Sequence, residues 1–329
     1  MDKYMPPYSI TDRMLRLVSE ISEKVGKITG RNERISEVHF RRNNRIRSIH
    51  SSLKIEANSL SLSDVRDVLN GHLVMGDRKE IQEVKNAYSA YELIPEIDPF
   101  SIDDLKKLHD IMTYGTVDES GAFRRGNEGV FSGDRCIFIA SSPELVPGLV
   151  KDLLGWMKQN NDIVHPLIMS AIFHYEFVFI HPFSDGNGRM ARLWHTVIIS
   201  KWKKEFEYIP LESQIEKYQQ EYYDSIEKSH VNGNSNVFIE FMLNMINQIL
   251  NDVIEQSANY MGISQYVKRL LDCMEYDIPY TANEIMGKLG LKSKETLRKN
   301  YLDPAISSGL VEMTLPDKPN SRNQRYVKK

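Results

Sequence analysis

The chain is 329 residues long, 41% hydrophobic and 26% charged, with a formal net charge of −3 at pH 7. Typical domains run to roughly 100–200 residues, so two or three modules are expected, and the balanced charge argues against a disordered acidic tail or a wholly basic nucleic-acid coat. Two cysteines, Cys136 and Cys273, without a CxxC pair indicate neither a disulfide framework nor a structural zinc site, which fits a reducing, cytoplasmic setting.

The start, MDKYMPPYSITDRM, lacks the basic-then-apolar pattern of a signal peptide, and no segment reaches the roughly 18 uninterrupted apolar residues of a membrane span. Met14, Leu17, Val18, Ile21 and Val25 recur at helical spacing. The stretch RSIHSSLKIEANSL, Arg47 to Leu60, is helix-compatible, with Ile49, Leu53 and Ile55 among polar residues and Glu56 in its middle. A capping box, Ser101-x-x-Asp104, precedes a helix carrying Leu105, Leu108, Ile111 and Met112. In GVFSGDRCIFIA, Gly129 to Ala140, two short apolar runs flank Gly133-Asp134 as in a small hairpin. Ser142 and Pro143 read as N-cap and first residue of a helix with Leu145, Leu149, Leu153 and Trp156 on one side. The apolar run Ile163 to Ile180 reads as a mostly buried helix.

Beyond an apolar helix, Val237 to Ile254, a boundary is expected near Gly262. Three short helices follow, Ile263 to Met274, Thr281 to Lys288 and Lys294 to Ser308, and then two extended pieces within LVEMTLPDKPNSRNQRYV, in the order of a winged helix-turn-helix. From Ile263 to Lys329, 12 Lys and Arg stand against 8 Asp and Glu, a mildly basic balance. The fold class is therefore all-α with a small hairpin and a carboxy-terminal winged helix.

The chemistry concentrates in HPFSDGNGRMAR, His181 to Arg192. Gly186-Asn187-Gly188 can take backbone angles closed to residues with a Cβ, so that successive N–H groups form a nest where the next helix begins. Such a helix start attracts anions. Arg189 and Arg192, three apart, share a helix face and can reach one polyphosphate with planar hydrogen bonds. Asp185 offers a hard oxygen ligand suited to Mg²⁺, and His181 has the pKa range of a general base near neutral pH. These are the parts of a phosphoryl or nucleotidyl transfer site. An EF-hand fails, because Arg189, Met190 and Thr196 stand at its positions five, six and twelve. There is no GxxxxGK[ST] Walker loop, and no strand precedes the glycines as a Rossmann turn requires.

The stretch resembles the signature of the Fic family, HPFx[D/E]GNGRxxR, at every defined position. The resemblance implies an all-helical catalytic core, residues 99–260, between an amino-terminal helical region, 1–98, and the winged helix, 262–329. It implies transfer of AMP from ATP, as co-substrate, to a Ser, Thr or Tyr hydroxyl of a protein target or of the chain itself. His181 would deprotonate the hydroxyl and Asp185 would bind Mg²⁺. Gly186, Asn187, Gly188 and Arg189 would cradle the α- and β-phosphates, Arg192 would hold the γ-phosphate, and Met190 and Ala191 complete the nucleotide-binding run. Gly121 to Arg124, GAFR, resembles the family's segment leading into a flap hairpin that aligns the target. Tyr222-Tyr223 sits where related proteins carry a tyrosine pair lining the adenine pocket. Members that transfer phosphate replace the second glycine with lysine; Gly188 therefore favours attack on the α-phosphate.

Ser52-Leu53-Lys54-Ile55-Glu56 resembles the family's inhibitory pattern [ST]xxxE[GN], which implies that Glu56 pairs with Arg192 and occupies the place of the γ-phosphate. Ala57 departs from the usual Gly or Asn, and as a good helix former it predicts that the helix persists through it. A homodimer is also implied, without a residue pattern that identifies the interface. Two alternatives stand beside this reading. One is a nucleotide-sensing DNA-binding regulator that uses Ser293 to Lys299, Arg322 and Arg325, although the modest basic surplus disfavours DNA. The other is a related enzyme that removes AMP or transfers another nucleotide-linked group. His165, His174 and His195 join no HExxH or other ligand spacing and read as packing histidines.

Overall fold

The computed structural model describes residues 4–30, 38–132, 135–260, 263–275 and 278–328. The expected hairpin tip Gly133-Asp134 and the expected boundary at Gly262 lie outside the described residues. In chain order the helices are α1 (Asp12–Gly30), α2 (Val38–Ile55), α3 (Leu62–Leu69), α4 (Arg78–Glu92) and α5 (Ile102–Thr113). The strands β1 (Gly129–Ser132) and β2 (Arg135–Ile139) follow, then α6 (Val146–Asn160), α7 (Pro166–Ile180), α8 (Asn187–Trp202), α9 (Leu211–Lys217), α10 (Gln219–Asn232) and α11 (Asn236–Tyr260).

Two compact units emerge: one joins the first helix to Asn44–Asn251, and the other joins the start of α2, up to Asn43, to Asp252–Lys329. Helices α1, α3 and α4 and the part of α2 from Asn44 onward thus belong to the same unit as the 99–251 segment. The cause is side-chain pairing: α1 buries Met14, Leu17, Ile21 and Val25, Lys24 Nζ donates to Asn247 Oδ1, and the Tyr91 hydroxyl donates to Glu212 Oε1 at 2.7 Å. At the centre α7 packs on α8. Leu167, Ala171, Ile172, Phe173 and Phe177 are fully buried in α7, as are Met190, Leu193, Trp194 and Val197 in α8. A helix apolar all round has no face to give to water, so α7 must lie inside. Over Asn236–Glu255 α11 is long and apolar enough by composition to cross a membrane, and half of that stretch is buried within the fold.

Two local expectations shift. α6 begins at Val146, not at Pro143, and Leu145 is exposed. Its buried stripe is Val146, Val150, Leu153, Leu154 and Met157, which sets the register of the helix. At α5 the Ser101 hydroxyl accepts from Asp104 N as expected, but the Asp104 carboxylate accepts from Asp98 N–H, so only half of the capping box forms.

The carboxy-terminal unit runs α12 (Gln265–Cys273), β3 (Pro279–Tyr280), α13 (Ala282–Leu289), α14 (Lys294–Leu297), α15 (Asp303–Ser307), β4 (Val311–Met313) and β5 (Tyr326–Lys328). The two expected extended pieces are β4 and β5, and β3 adds a third strand in the antiparallel order β3-β5-β4. The helix expected over 294–308 is interrupted by a π-helical turn, Arg298–Leu302, in which Asp303 N–H donates to Arg298 O. Pro304 explains the widening, since its ring has no N–H and would crowd the carbonyl four residues before it.

Candidate active site

The loop between α7 and α8 carries the motif. α7 ends at His181, whose N–H donates to Phe177 O at 2.9 Å and whose backbone is left-handed, φ 51° and ψ 62°. That conformation is uncommon for a residue with a Cβ. The Asn187 side chain braces the loop: its Oδ1 accepts from Phe183 N and its Nδ2 donates to Phe183 O, at 2.9 and 2.7 Å. Phe183 is fully buried and stacks on His109, ring centroids 3.6 Å apart.

The two glycines serve different needs. Gly186 caps α8 with φ 79°, and a Cβ there would come within 3.0 Å of Thr113 Cγ2. Gly188 needs no special angle, contrary to expectation, since it lies inside α8. Its requirement is space: a Cβ would fall on Glu56 Oε1 and within 3.1 Å of Arg192 Nη1. The N–H groups of Asn187, Gly188 and Arg189, the first three of α8, have no partner within the helix.

The arginines sit on different acids. Arg192 has a side chain only 1% exposed; its Nη2 donates to Glu56 Oε1 at 2.7 Å and to Ser52 O at 3.0 Å, and its Nε donates to Ser52 Oγ at 3.1 Å. Burial is the largest influence and opposes the Arg192 charge, but the field and hydrogen bond of Glu56 together with the fields of Tyr222 and Tyr223 leave the guanidinium pKa raised. Arg189, 4% exposed, donates from Nη2 to Asp185 Oδ1 at 3.1 Å and places Nη1 3.4 Å from Glu83 Oε1. Its Nε and Nη1 are buried without a hydrogen-bond partner among the described residues. A buried guanidinium left with open N–H groups suits an incoming anion.

Asp185 fits the modest demand of Mg²⁺, which takes one or two carboxylates together with substrate phosphate oxygens. Its Oδ1 accepts from Gly186 N and Arg189, its Oδ2 is 4.0 Å from Lys79 Nζ, and its side chain is 45% exposed. No cluster of three or more His, Cys, Asp or Glu forms an all-protein cage among the described residues.

Glu56 is the first residue past the end of α2. The helix does not persist through Ala57 as expected. Ala57 N–H donates to Lys54 O and Asn58 N–H to Leu53 O, closing the helix in a Schellman turn with Ala57 at φ 66°. That is the position where Gly or Asn fits without strain, and tertiary contacts hold the alanine there. Asn58 Nδ2 donates to Glu83 Oε2 at 3.0 Å, while Ser59 N–H and Oγ donate to the Glu80 carboxylate at 2.8 and 2.7 Å.

His181 is held neutral, its pKa pushed down to about 4 by burial, which outweighs a hydrogen bond from the imidazole to the Val178 carbonyl. Tyr222 is 2% exposed and its hydroxyl lies 2.9 Å from His174 Nε2, so its ring is core. Tyr223 packs edge-on against it, centroids 5.2 Å apart, and is part-exposed. His174 and His195 are fully buried, and His165 caps α7 by accepting from Leu167 N. Met190 and Ala191 are fully buried as well.

Two residues at this site were not singled out in the sequence. His109, fully buried, accepts at Nδ1 from Gly121 N–H and so carries its proton on Nε2, 3.0 Å from Asp185 O. Arg124, 2% exposed, donates from Nε to His181 O at 2.6 Å and from Nη1 to Gly126 O at 2.7 Å. Arg124 lies in the GAFR segment, but its partners are carbonyls distant in sequence. His109 sits on a helical stripe like any packing residue.

The Fic/DOC family matches residues 99–199, and the family described as Filamentation induced by cAMP protein Fic-like, C-terminal domain, matches residues 265–327. A crystal structure of a Fic family protein from Desulfovibrio desulfuricans G20 is 39% identical, with a TM-score of 0.75; the match covers 99% of this chain and 98% of that one. "Protein adenylyltransferase fic-1" of Caenorhabditis elegans is 30% identical over 226 residues, 65% of this chain and 42% of that protein. "Protein adenylyltransferase Fic" of Culex quinquefasciatus is 29% identical over 63% of this chain and 41% of its own length. The chain spans 42% and 41% of these curated relatives. Near end-to-end likeness to the D. desulfuricans protein, joined to the complete motif on the loop between α7 and α8, makes this chain a member of the Fic family.

Proposed function

We propose that the chain transfers AMP from ATP to a hydroxyl of a protein, a target or itself, and that Glu56 restrains this activity. The observation that carries the reading is the seat of Glu56: a carboxylate at the start of α8, on the space left by Gly188 and 2.7 Å from the buried Arg192. A helix start with a buried arginine is an anion site, and here a side chain of the same fold sits in it. Relatives at about 30% identity that carry the name protein adenylyltransferase support the same chemistry.

In this reading the N–H groups of Asn187, Gly188 and Arg189 face the α- and β-phosphates, and Arg192 takes the γ-phosphate once Glu56 has left it. Asp185 would hold Mg²⁺, which supplies charge neutralisation across the phosphates. His181, neutral at pH 7, accepts the proton of the incoming hydroxyl on an imidazole nitrogen. The hydroxyl oxygen bonds to the α-phosphorus as the bond from that phosphorus to the bridging oxygen breaks, and pyrophosphate leaves with the electron pair. Tyr223 supplies the part-exposed ring for adenine, with Tyr222 supporting it from the core. While Glu56 occupies Arg192, the triphosphate cannot reach the in-line pose that this displacement needs. The test is incubation with ATP labelled at the α-phosphate: the chain incorporates label, and His181→Ala removes it. Unchanged labelling in His181→Ala would refute the mechanism.

A further inference from the structure

We propose that Arg124 is the positioning residue of this site: one guanidinium sets the backbone of His181 and ties both stems of the β1–β2 hairpin to it. The inference rests on the reading of His181 as the base.

Arg124 reaches four carbonyls from a buried position. Nε donates to His181 O at 2.6 Å, Nη1 to Gly126 O at 2.7 Å, and Nη2 to Ser141 O and, at 3.4 Å, to Ile180 O. Its own backbone N–H donates to Pro182 O at 3.0 Å. Among the described residues every hydrogen-bond acceptor of this side chain is a carbonyl, so the buried charge is met there by dipoles. Glu128 and Glu144 act on it only through the field. Desolvating a guanidinium without a hydrogen-bonded carboxylate is unfavourable, so a specific geometric return is expected.

The acceptors reveal that return. Ile180 and His181 supply the last carbonyls of α7, which have no partner within the helix and which a cation complements. His181 has left-handed backbone angles that residues with a Cβ seldom adopt. Its carbonyl and that of Pro182, on either side of the turn, are both gripped by Arg124. Gly126 precedes β1 and Ser141 follows β2, and Ala140 N–H donates to Glu128 O between them. The hairpin that would present the accepting hydroxyl and the residue that would deprotonate it are therefore referenced to one rigid, planar group. Lysine, a single ammonium without a fork, cannot reproduce this.

The test uses the full chain in a Glu56→Gly background, where the restraint is absent, with Arg124→Lys, Arg124→Gln and Arg124→Ala. Three quantities are read: the maximal self-labelling rate at saturating ATP, the Kd of ATP with Mg²⁺ by calorimetry, and the melting temperature. A displacement of about 1 Å at the reacting atoms lowers the rate on the order of 100-fold, and that loss is expected in all three variants. The Kd should stay within about twofold, because the phosphate contacts do not involve Arg124. Added guanidinium ion should restore part of the Arg124→Ala rate in a saturable manner. A lysine variant at the parent rate overturns the proposal. So does a joint fall of rate, ATP affinity and melting temperature without guanidinium rescue, or failure of all three variants to fold, since each marks a merely structural arginine. His181→Ala in the same background separates the two levels. If it still labels, the proposed function fails; if it is silent while Arg124→Lys is fully active, only the positioning role fails.

Discussion

Replacing Glu56 with Gly removes the carboxylate from a guanidinium that is 1% exposed, while Glu56 itself is 38% exposed. Breaking a fully buried ion pair costs about 3–5 kcal/mol, and an exposed pair is worth at most about 1 kcal/mol. The half-open geometry, together with the Ser52 hydroxyl and carbonyl that remain on Arg192, places this pair near 1–2 kcal/mol. The same free energy resists the γ-phosphate. At about 1.4 kcal/mol per factor of ten, Glu56→Gly should raise the self-labelling rate at subsaturating ATP on the order of 5–30-fold. It should also lower the melting temperature by about 2–4 °C per kcal/mol lost. Glu56→Gln, which keeps a hydrogen-bonding oxygen without the charge, should fall between the two. The assay is the initial rate of label incorporation from α-labelled ATP, paired with a thermal melt and an ATP titration. Unchanged rate and unchanged ATP affinity in Glu56→Gly would refute the restraint.

Further outcomes follow from the same geometry. A Cβ at Gly188 falls on Glu56 Oε1, so Gly188→Ala should displace that side chain from Arg192 and destabilise the chain by at most about 1–2 kcal/mol, less the roughly 1 kcal/mol by which alanine favours a helix over glycine. Most of that loss should vanish in a Glu56→Gly background, and additive melts would contradict the contact. Ala57 sits at φ 66°, so Ala57→Gly should stabilise by roughly 1 kcal/mol in urea unfolding; a loss of stability would show the strain to be absent. Burial raises the Glu176 carboxyl to about 7, while its Oε2 accepts from the Tyr4 hydroxyl at 3.0 Å. The folded chain therefore holds a proton that the unfolded chain has lost, so Glu176 contributes stability that declines as pH rises from about 4.5 to about 7. Relative to wild type, Glu176→Gln should gain about 1–3 kcal/mol across that window. A pH-independent difference would contradict the assignment.

Much of the helical core is legible in the sequence, because its stripes repeat at the spacing of a helix face: Met14, Leu17, Ile21 and Val25 in α1, or Leu105, Leu108 and Met112 in α5. The loop from His181 to Arg192 is legible for a different reason, namely that its chemistry is contiguous. What stays hidden is decided between distant residues. The αL turn at Ala57 contradicts local propensity and is held by Asn58 and Ser59 on Glu83 and Glu80 of α4. Arg124 acts through carbonyls up to 57 residues away, and carbonyls carry no sequence signature. In the sequence Gly188 reads as a conformational glycine, yet its requirement comes from a carboxylate 132 positions earlier. The interrupted helix at 298–307 was visible in principle, because Pro304 stands inside it.

In the proposed reaction an adenylyl group passes from ATP to a protein hydroxyl at His181 when Glu56 no longer holds Arg192. Intact-mass spectrometry of the Glu56→Gly chain after incubation with ATP and Mg²⁺ tests it most directly. The expected result is a mass increase of one or more AMP units, mapped by fragmentation to Ser, Thr or Tyr, and no increase once His181→Ala is added. A phosphate-sized increase, or an AMP-sized one that persists without His181, would contradict it.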